Sequence, residues 1–234
     1  MKIDYNENYY FNEFKSLGTD YNDLEEIKIY DERMSKLRDI QKEIENTLNQ
    51  IDLKKEDIII EIGCGTGEFS IEAAKKCKKV IAIDVSNNML QYAKNKAINR
   101  RINNISFINS GFLSYKHKDE PVDIVVSSIA LHHLPDFWKL IALRNISSML
   151  KTKGKFYLHD VVFSFDIDNF EDAIEKWTNQ TNDSKMKKSM LNHISQEFST
   201  MDWVMEELLQ KAGFNIEYKE YKSDFFATYL CIKI

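Results

Sequence analysis

The chain has 234 residues, 43% of them hydrophobic, and carries 32 lysines and arginines against 37 aspartates and glutamates, a net charge of −5. That size and apolar share support one domain with a full core and a modest helical addition. No apolar run approaches the roughly 18 residues that cross a bilayer, and the acidic balance argues against a nucleic-acid partner.

Three cysteines, Cys64, Cys77 and Cys231, are odd in number and widely spaced. They read as neutral thiols in a reducing compartment rather than as a disulfide framework. No CxxC or Cys/His cluster points to structural zinc. The start, Met-Lys-Ile-Asp-Tyr-Asn-Glu, lacks the charged-then-apolar design of a signal segment, so a cytoplasmic location is expected.

Residues 1–56 read as a helical cap. The best helix runs from Asp31, a candidate N-cap, to Leu48. Met34, Leu37, Ile40, Ile44, Leu48 and Ile51 step along one face by three or four. The preceding stretch is aromatic: Tyr5, Tyr9, Tyr10, Phe11, Phe14, Tyr21 and Tyr30. Core packing is one reading of each of these rings.

Residues 57–67, Asp-Ile-Ile-Ile-Glu-Ile-Gly-Cys-Gly-Thr-Gly, are the centre of the chain. Ile58, Ile59, Ile60 and Ile62 form the run expected of a strand buried on both faces of a parallel sheet. Three of the seven glycines follow at once. Such clustering fits a tight strand-to-helix turn whose backbone approaches a ligand. Apolar residues at helical spacing from Phe69 to Cys77 then predict a helix. A dinucleotide fingerprint would have its third glycine at position 68, which is Glu68, a carboxylate that repels pyrophosphate. Gly-Lys-Ser/Thr of a phosphate loop is absent. The loop is therefore suited to a nucleoside without phosphates.

A second strand, Val80–Ile83, ends at Asp84, 21 residues after Gly63. In a doubly wound sheet this position faces the ligand crevice, where a carboxylate accepts both hydroxyls of a ribose. Ser86 or Asn87 caps a helix to about Asn99. The third strand is Ile105–Ile108, followed by Asn109-Ser110-Gly111-Phe112, where Gly111 marks a close backbone approach. Pro121 leads into a fourth strand, Val122–Val126, and then Ser127-Ser128-Ile129-Ala130-Leu131-His132-His133-Leu134-Pro135-Asp136. A helix from Asp136 to Leu150 turns Trp138, Ile141, Ile146, Met149 and Leu150 inward. Lys153-Gly154 makes the turn into strand five, Lys155–Asp160. Residues 162–199 are a helical insertion with Phe163, Phe165, Phe170, Ile174 and Trp177 as its apolar pattern. A helix from Ser199-Thr200 carries Trp203, Val204, Leu208 and Leu209 and closes at Gly213. Two strands, Phe214–Tyr221 and Phe225–Ile234, end the chain as a hairpin.

Glu-x-Gly-x-Gly-x-Gly at the end of a first strand resembles the main motif of class I S-adenosylmethionine-dependent methyltransferases, and Asp-x-Ser-x-x-Met-Leu at 84–90 is similar to a second stretch of that family. The resemblance implies an α/β fold: a doubly wound, seven-stranded, mostly parallel sheet with an antiparallel last strand. It implies S-adenosylmethionine as the cofactor of residues 57–234. The backbone of Gly63, Cys64, Gly65, Thr66 and Gly67 would cradle its methionyl and ribose portion. Glu61 would support that loop or face the cofactor's ammonium, and Asp84 would bind the ribose. Val85 and Met89 would pack near the adenine. The family's aspartate after strand three is missing, so Ser110 or Asn109 would meet the adenine amino group, with Phe112 stacked on the base. Tyr30, in the Tyr30-Asp31 pair, would approach the cofactor's carboxylate. Ser127, Ser128 and His132 would line the methionine end.

Methyl transfer from a sulfonium is an in-line displacement that needs alignment and dryness more than acid–base groups. A general base, where one is used, is His132 or His159; a structural histidine is the other reading of each. Adjacent helical residues point about 100° apart, so His132 and His133 are not expected to clamp one metal, and no metal site is expected. The aromatic cover and acidic balance suit a small organic acceptor. A tRNA or protein acceptor, a non-catalytic cofactor-binding protein and a nicotinamide oxidoreductase stay open. The chain is expected to act as a monomer or homodimer.

Overall fold

The computed structural model describes residues 9–15, 27, 30, 31 and 39–234. Met34, Leu37, Tyr5 and Tyr21 of the expected cap lie outside these. The first complete helix, α1 (Ile40–Gln50), starts after Asp39, whose carboxylate accepts the Lys42 N–H. Asp31 is not a cap here: its own backbone is helical, and its side chain is engaged elsewhere.

The centre is a sheet. Strands β1 (Ile58–Ile62), β2 (Lys79–Asp84), β3 (Ile105–Asn109), β4 (Val122–Ser128) and β5 (Leu150–Phe163) run parallel. The short β6 (Thr200–Met201) pairs with the end of β5. Strand β7 (Phe214–Lys222) and strand β8 (Phe226–Lys233) complete the order β3-β2-β1-β4-β5-β8-β7. β8 is antiparallel to both its neighbours. The isoleucine run explains itself in this layout. Ile60 and Ile62 pack with Leu143, Ile146 and Phe156 on one face, while Ile59 packs with Ile44, Ala73 and Ala74 on the other. β7 is an edge, and the charged residues of its Glu-Tyr-Lys-Glu-Tyr-Lys sequence, all exposed, discourage further strand pairing.

Helices cover both faces. α2 (Glu68–Ala74) and α3 (Asn87–Asn99) follow β1 and β2, and Ser86 caps α3 by accepting the Met89 N–H. α4 (Asp136–Met149) follows a 3-10 turn at Leu131–His133. Its buried side chains are Lys139, Ala142, Leu143, Ile146 and Met149, whereas Trp138 and Ile141 are only half-buried. Lys139 enters because Asp136 and the Phe198 carbonyl receive its ammonium. β5 starts earlier than expected: Leu150 already pairs with Val122, and the chain bulges through Lys153 before Lys155 meets Ile124.

The insertion carries α5 (Phe170–Thr178) and α6 (Ser184–Gln196). Trp177 is buried and stacks on Phe225 at 4.3 Å, while Phe170 stays exposed. Two expectations for the following helix fail. Thr200 lies in β6 rather than opening a helix, and α7 (Asp202–Lys211) buries Met205 and Leu209 while Trp203 is 68% exposed. β6 takes Thr200 and Met201, so the helix starts at Asp202.

Candidate active site

β1 and β4 are sequence-distant neighbours, so the helices after them leave on opposite faces and a crevice opens at their C-terminal ends. It holds a cavity of about 260 Å³. The glycine loop forms one wall. The N–H groups of Gly63 and Cys64 both donate to the Ile83 carbonyl, at 2.8 and 3.0 Å, which pins the loop to β2. At Gly63 φ is +82°, and a Cβ would sit 2.4 Å from that of Ala130, so no larger residue fits. At Gly65 a Cβ would meet nothing within 4 Å. The requirement there is the left-handed turn, and the open side is left for a ligand. Gly67 is the left-handed N-cap of α2, packed on Ala93 outside the lining.

Asp84 bridges the tips of the first two strands. It accepts the Gly65 N–H at 2.7 Å and the Ser86 N–H at 2.8 Å. Burial raises its pKa, against these two donors. Val85, Met89, Ser110, Gly111 and Phe112 continue the wall. Asn109 is spent on the carbonyls of Asp84 and Val85, leaving Ser110 at the cavity. Cys64 lines it too, but burial and the charges of Asp84 and Glu61 keep its thiol neutral.

Glu61 lies at the cavity floor, 4% exposed, and accepts the Ser70 hydroxyl. Burial, helped by the Asp84 charge, pushes its carboxyl up to about 8. Its folded pKa is above its ordinary value, so its contribution to stability is complete below about pH 4.5 and is lost as pH rises through about 8. Glu61→Gln is expected to flatten the fall in unfolding free energy over that interval, which reaches about 1.4 kcal/mol per pH unit for one such group. Denaturant titrations at pH 5.5 and 8.5 check this; an unchanged slope would refute the assignment.

Tyr30 and Asp31 line the cavity beside the loop. Asp31 accepts the Thr66 hydroxyl at 2.6 Å and pairs with Lys96 at 2.5 Å. Lys96 also pairs with Glu68 at 2.9 Å, and Glu68 pairs with Arg100 at 3.0 Å. Burial raises the Glu68 pKa, but these cations outweigh it and hold the carboxyl low. A residue not anticipated is Glu13. It accepts the N–H groups of Leu113 and Ser114 at 2.9 and 2.7 Å and lies over Gly111. It thus places a carboxylate near the tip of β3, where no aspartate occurs in sequence.

At the β4 end, Ser128 lines the cavity and Ser127 does not. Ser127 is fully buried on the other face, and its hydroxyl has no hydrogen-bond partner. The histidines divide in the same way. His132 is 3% exposed, with Nδ1 on Asp160 at 2.5 Å and Nε2 on Glu197 at 3.2 Å. Burial works against its charge, but the two carboxylates outweigh it and raise the ring to about 9. His133 is the imidazole that faces the cavity, lowered to about 4 by burial and by its charged neighbour. His159 bonds Thr228 through Nδ1 at 3.0 Å and stacks on Phe226, away from the cavity.

The sheet order and the loop at its switch point define a Rossmann-like methyltransferase domain. The family profile described as a methyltransferase domain matches residues 53–222, and the chain belongs to that family. An uncharacterized methyltransferase of Geobacillus kaustophilus is 27% identical over 194 residues, covering 83% of this chain and 84% of the relative. Another, of Bacillus cereus, is 28% identical over 209 residues, covering 86% and 93%. The solved structure of a SAM-dependent methyltransferase from Aquifex aeolicus superposes with a TM-score of 0.63 at 18% identity, over 91% of this chain and 99% of that one. The protein is a methyltransferase of class I architecture. Among the described residues no helix is long and apolar enough to cross a membrane.

Proposed function

We propose that the cavity binds S-adenosylmethionine and presents its methyl group to a small organic acceptor. The observation that carries this is the pairing of Gly65 with Asp84: an unobstructed left-handed turn beside a carboxylate held at the strand tip. The ribose would lie on Asp84 and the methionyl part along Gly63–Thr66. Glu61 lies behind that loop and Tyr30 beside it. The adenine would rest among Val85, Met89, Ser110 and Phe112, with Glu13 nearby. The sulfonium would point toward Ser128 and His133. His133 therefore takes the position facing the acceptor, and His132 is a positioning residue behind it.

The small acceptor is supported by the cover. Phe11, Phe14, Tyr30 and Ile40 line a cavity of about 260 Å³, near the lower edge of the roughly 300–1,000 Å³ usual for small-molecule sites. A polymer would need a more open surface.

Thermal-shift titration tests the cofactor. S-adenosylhomocysteine is expected to raise the melting temperature in a concentration-dependent way, and NADH is expected to leave it unchanged. The reverse result would sink this reading. Transfer of label from methyl-labelled cofactor into a low-molecular-weight metabolite fraction, but not into bulk tRNA or protein, tests the acceptor class.

A further inference from the structure

We propose that His132, His133 and Glu197 form a binding site for one divalent metal ion at the wall of the cavity. Each offers one ligand atom, and the three atoms lie within 4.8 Å of one another. The His132 Nε2 to Glu197 Oε2 distance of 3.2 Å already matches the ~3.3 Å edge of a tetrahedron built on 2.0–2.1 Å zinc bonds. Adjacent residues of a 3-10 turn diverge by about 120°, yet the rings of His132 and His133, in the turn entered through Ile129 at φ +52°, lie 4.3 Å apart.

The surrounding groups are arranged as outer-shell partners of a metal site. The buried Asp160 takes Nδ1 of His132 and also its backbone N–H at 3.1 Å, which leaves Nε2 facing Glu197. A carboxylate behind a ligating imidazole fixes its tautomer and orientation in metal sites. His193 holds the Glu197 carboxylate through Nδ1, and its Nε2 bonds the Ser199 hydroxyl at 2.7 Å. Asp160 is fully buried and Glu197 is 10% exposed at its side chain. The His132 imidazolium and His193 compensate these two desolvated carboxylates, and a dication taking the place of the His132 Nε2 proton would do so as well.

Two imidazoles and a carboxylate suit zinc and its first-row neighbours rather than magnesium or calcium. Three protein ligands leave a fourth position free, the arrangement of metal sites that take a further ligand. Of the three residues, His133 is the one that lines the cavity.

The test uses tag-free full-length protein, stripped by a chelator and titrated with zinc chloride by calorimetry. One equivalent is expected to bind. His133→Ala and Glu197→Gln should each weaken binding at least tenfold, and the control variant His117→Ala, outside the cluster, should not. Cobalt(II) in place of zinc is expected to give the visible absorption of a four-coordinate ion, lost in Glu197→Gln. Circular dichroism of each variant controls for folding, and His193→Asn, which removes the hold on Glu197 without removing a ligand, should give an intermediate loss. Absence of stoichiometric zinc binding by the wild-type chain, or binding unaffected by both ligand variants, overturns the site. Neither result bears on whether S-adenosylhomocysteine binds, so this inference and the proposed function fail separately.

Discussion

Asp84→Ala is expected to lower affinity for S-adenosylhomocysteine by at least a hundredfold, measured by calorimetry at pH 7.5. Two losses combine. The ribose would lose a charged acceptor, and bonds to charged groups contribute about 1.5–3 kcal/mol. The N–H groups of Gly65 and Ser86 would lose the carboxylate that holds the loop in its turn. Asp84→Asn keeps the shape and one carbonyl acceptor, so its loss should be smaller. A folded Asp84→Ala protein that binds within threefold of wild type would remove Asp84 from the cofactor site.

Asp160→Ala is expected to cost about 3–5 kcal/mol of stability, among the largest single-site effects in the chain. Asp160 has no exposed surface and accepts the His132 ring, the His132 N–H and the Val161 N–H. Its removal strands buried donors and leaves the His132 ring with Glu197 alone. Denaturant unfolding at pH 7 measures the change. The double variant Asp160→Ala/His132→Leu should recover much of the loss, because the stranded partner goes with it. No recovery would mean that the cost lies in the β5 backbone rather than in the pair.

The fold was legible where periodicity and burial agree. The isoleucines of β1 read as buried on both faces because they are, and Asp84 could be placed by counting to the next strand end. Legibility failed where a neighbour in space decides. Asp31 reads as a cap because its surroundings, Thr66 and Lys96, are 35 and 65 residues away. Trp203 reads as core because its apolar ring sits in a helix with other apolar residues, yet Met205 and Leu209 are the ones the helix buries. Glu13 and Glu197 carry no motif and come from the two segments outside the central sheet. The pair His132-His133 gave the right location but not which ring faces the cavity, since that depends on a 3-10 turn. Glu68 gave a sound hint through a weaker reason than charge alone: Lys96 and Arg100 compensate its carboxylate.

Helix α6 fully buries none of its residues. A 13-residue helix is marginal on its own in water, so its opening free energy is set by few contacts and falls far below that of the sheet. Its amides should exchange with solvent long before those of β1 and β4. The contact of Glu197 with His132, just past its last turn, and those of Phe198 with the Lys139 ammonium and the His132 carbonyl fasten this end to the body. The outer wall of the histidine cluster is thus the first part of this region to come loose.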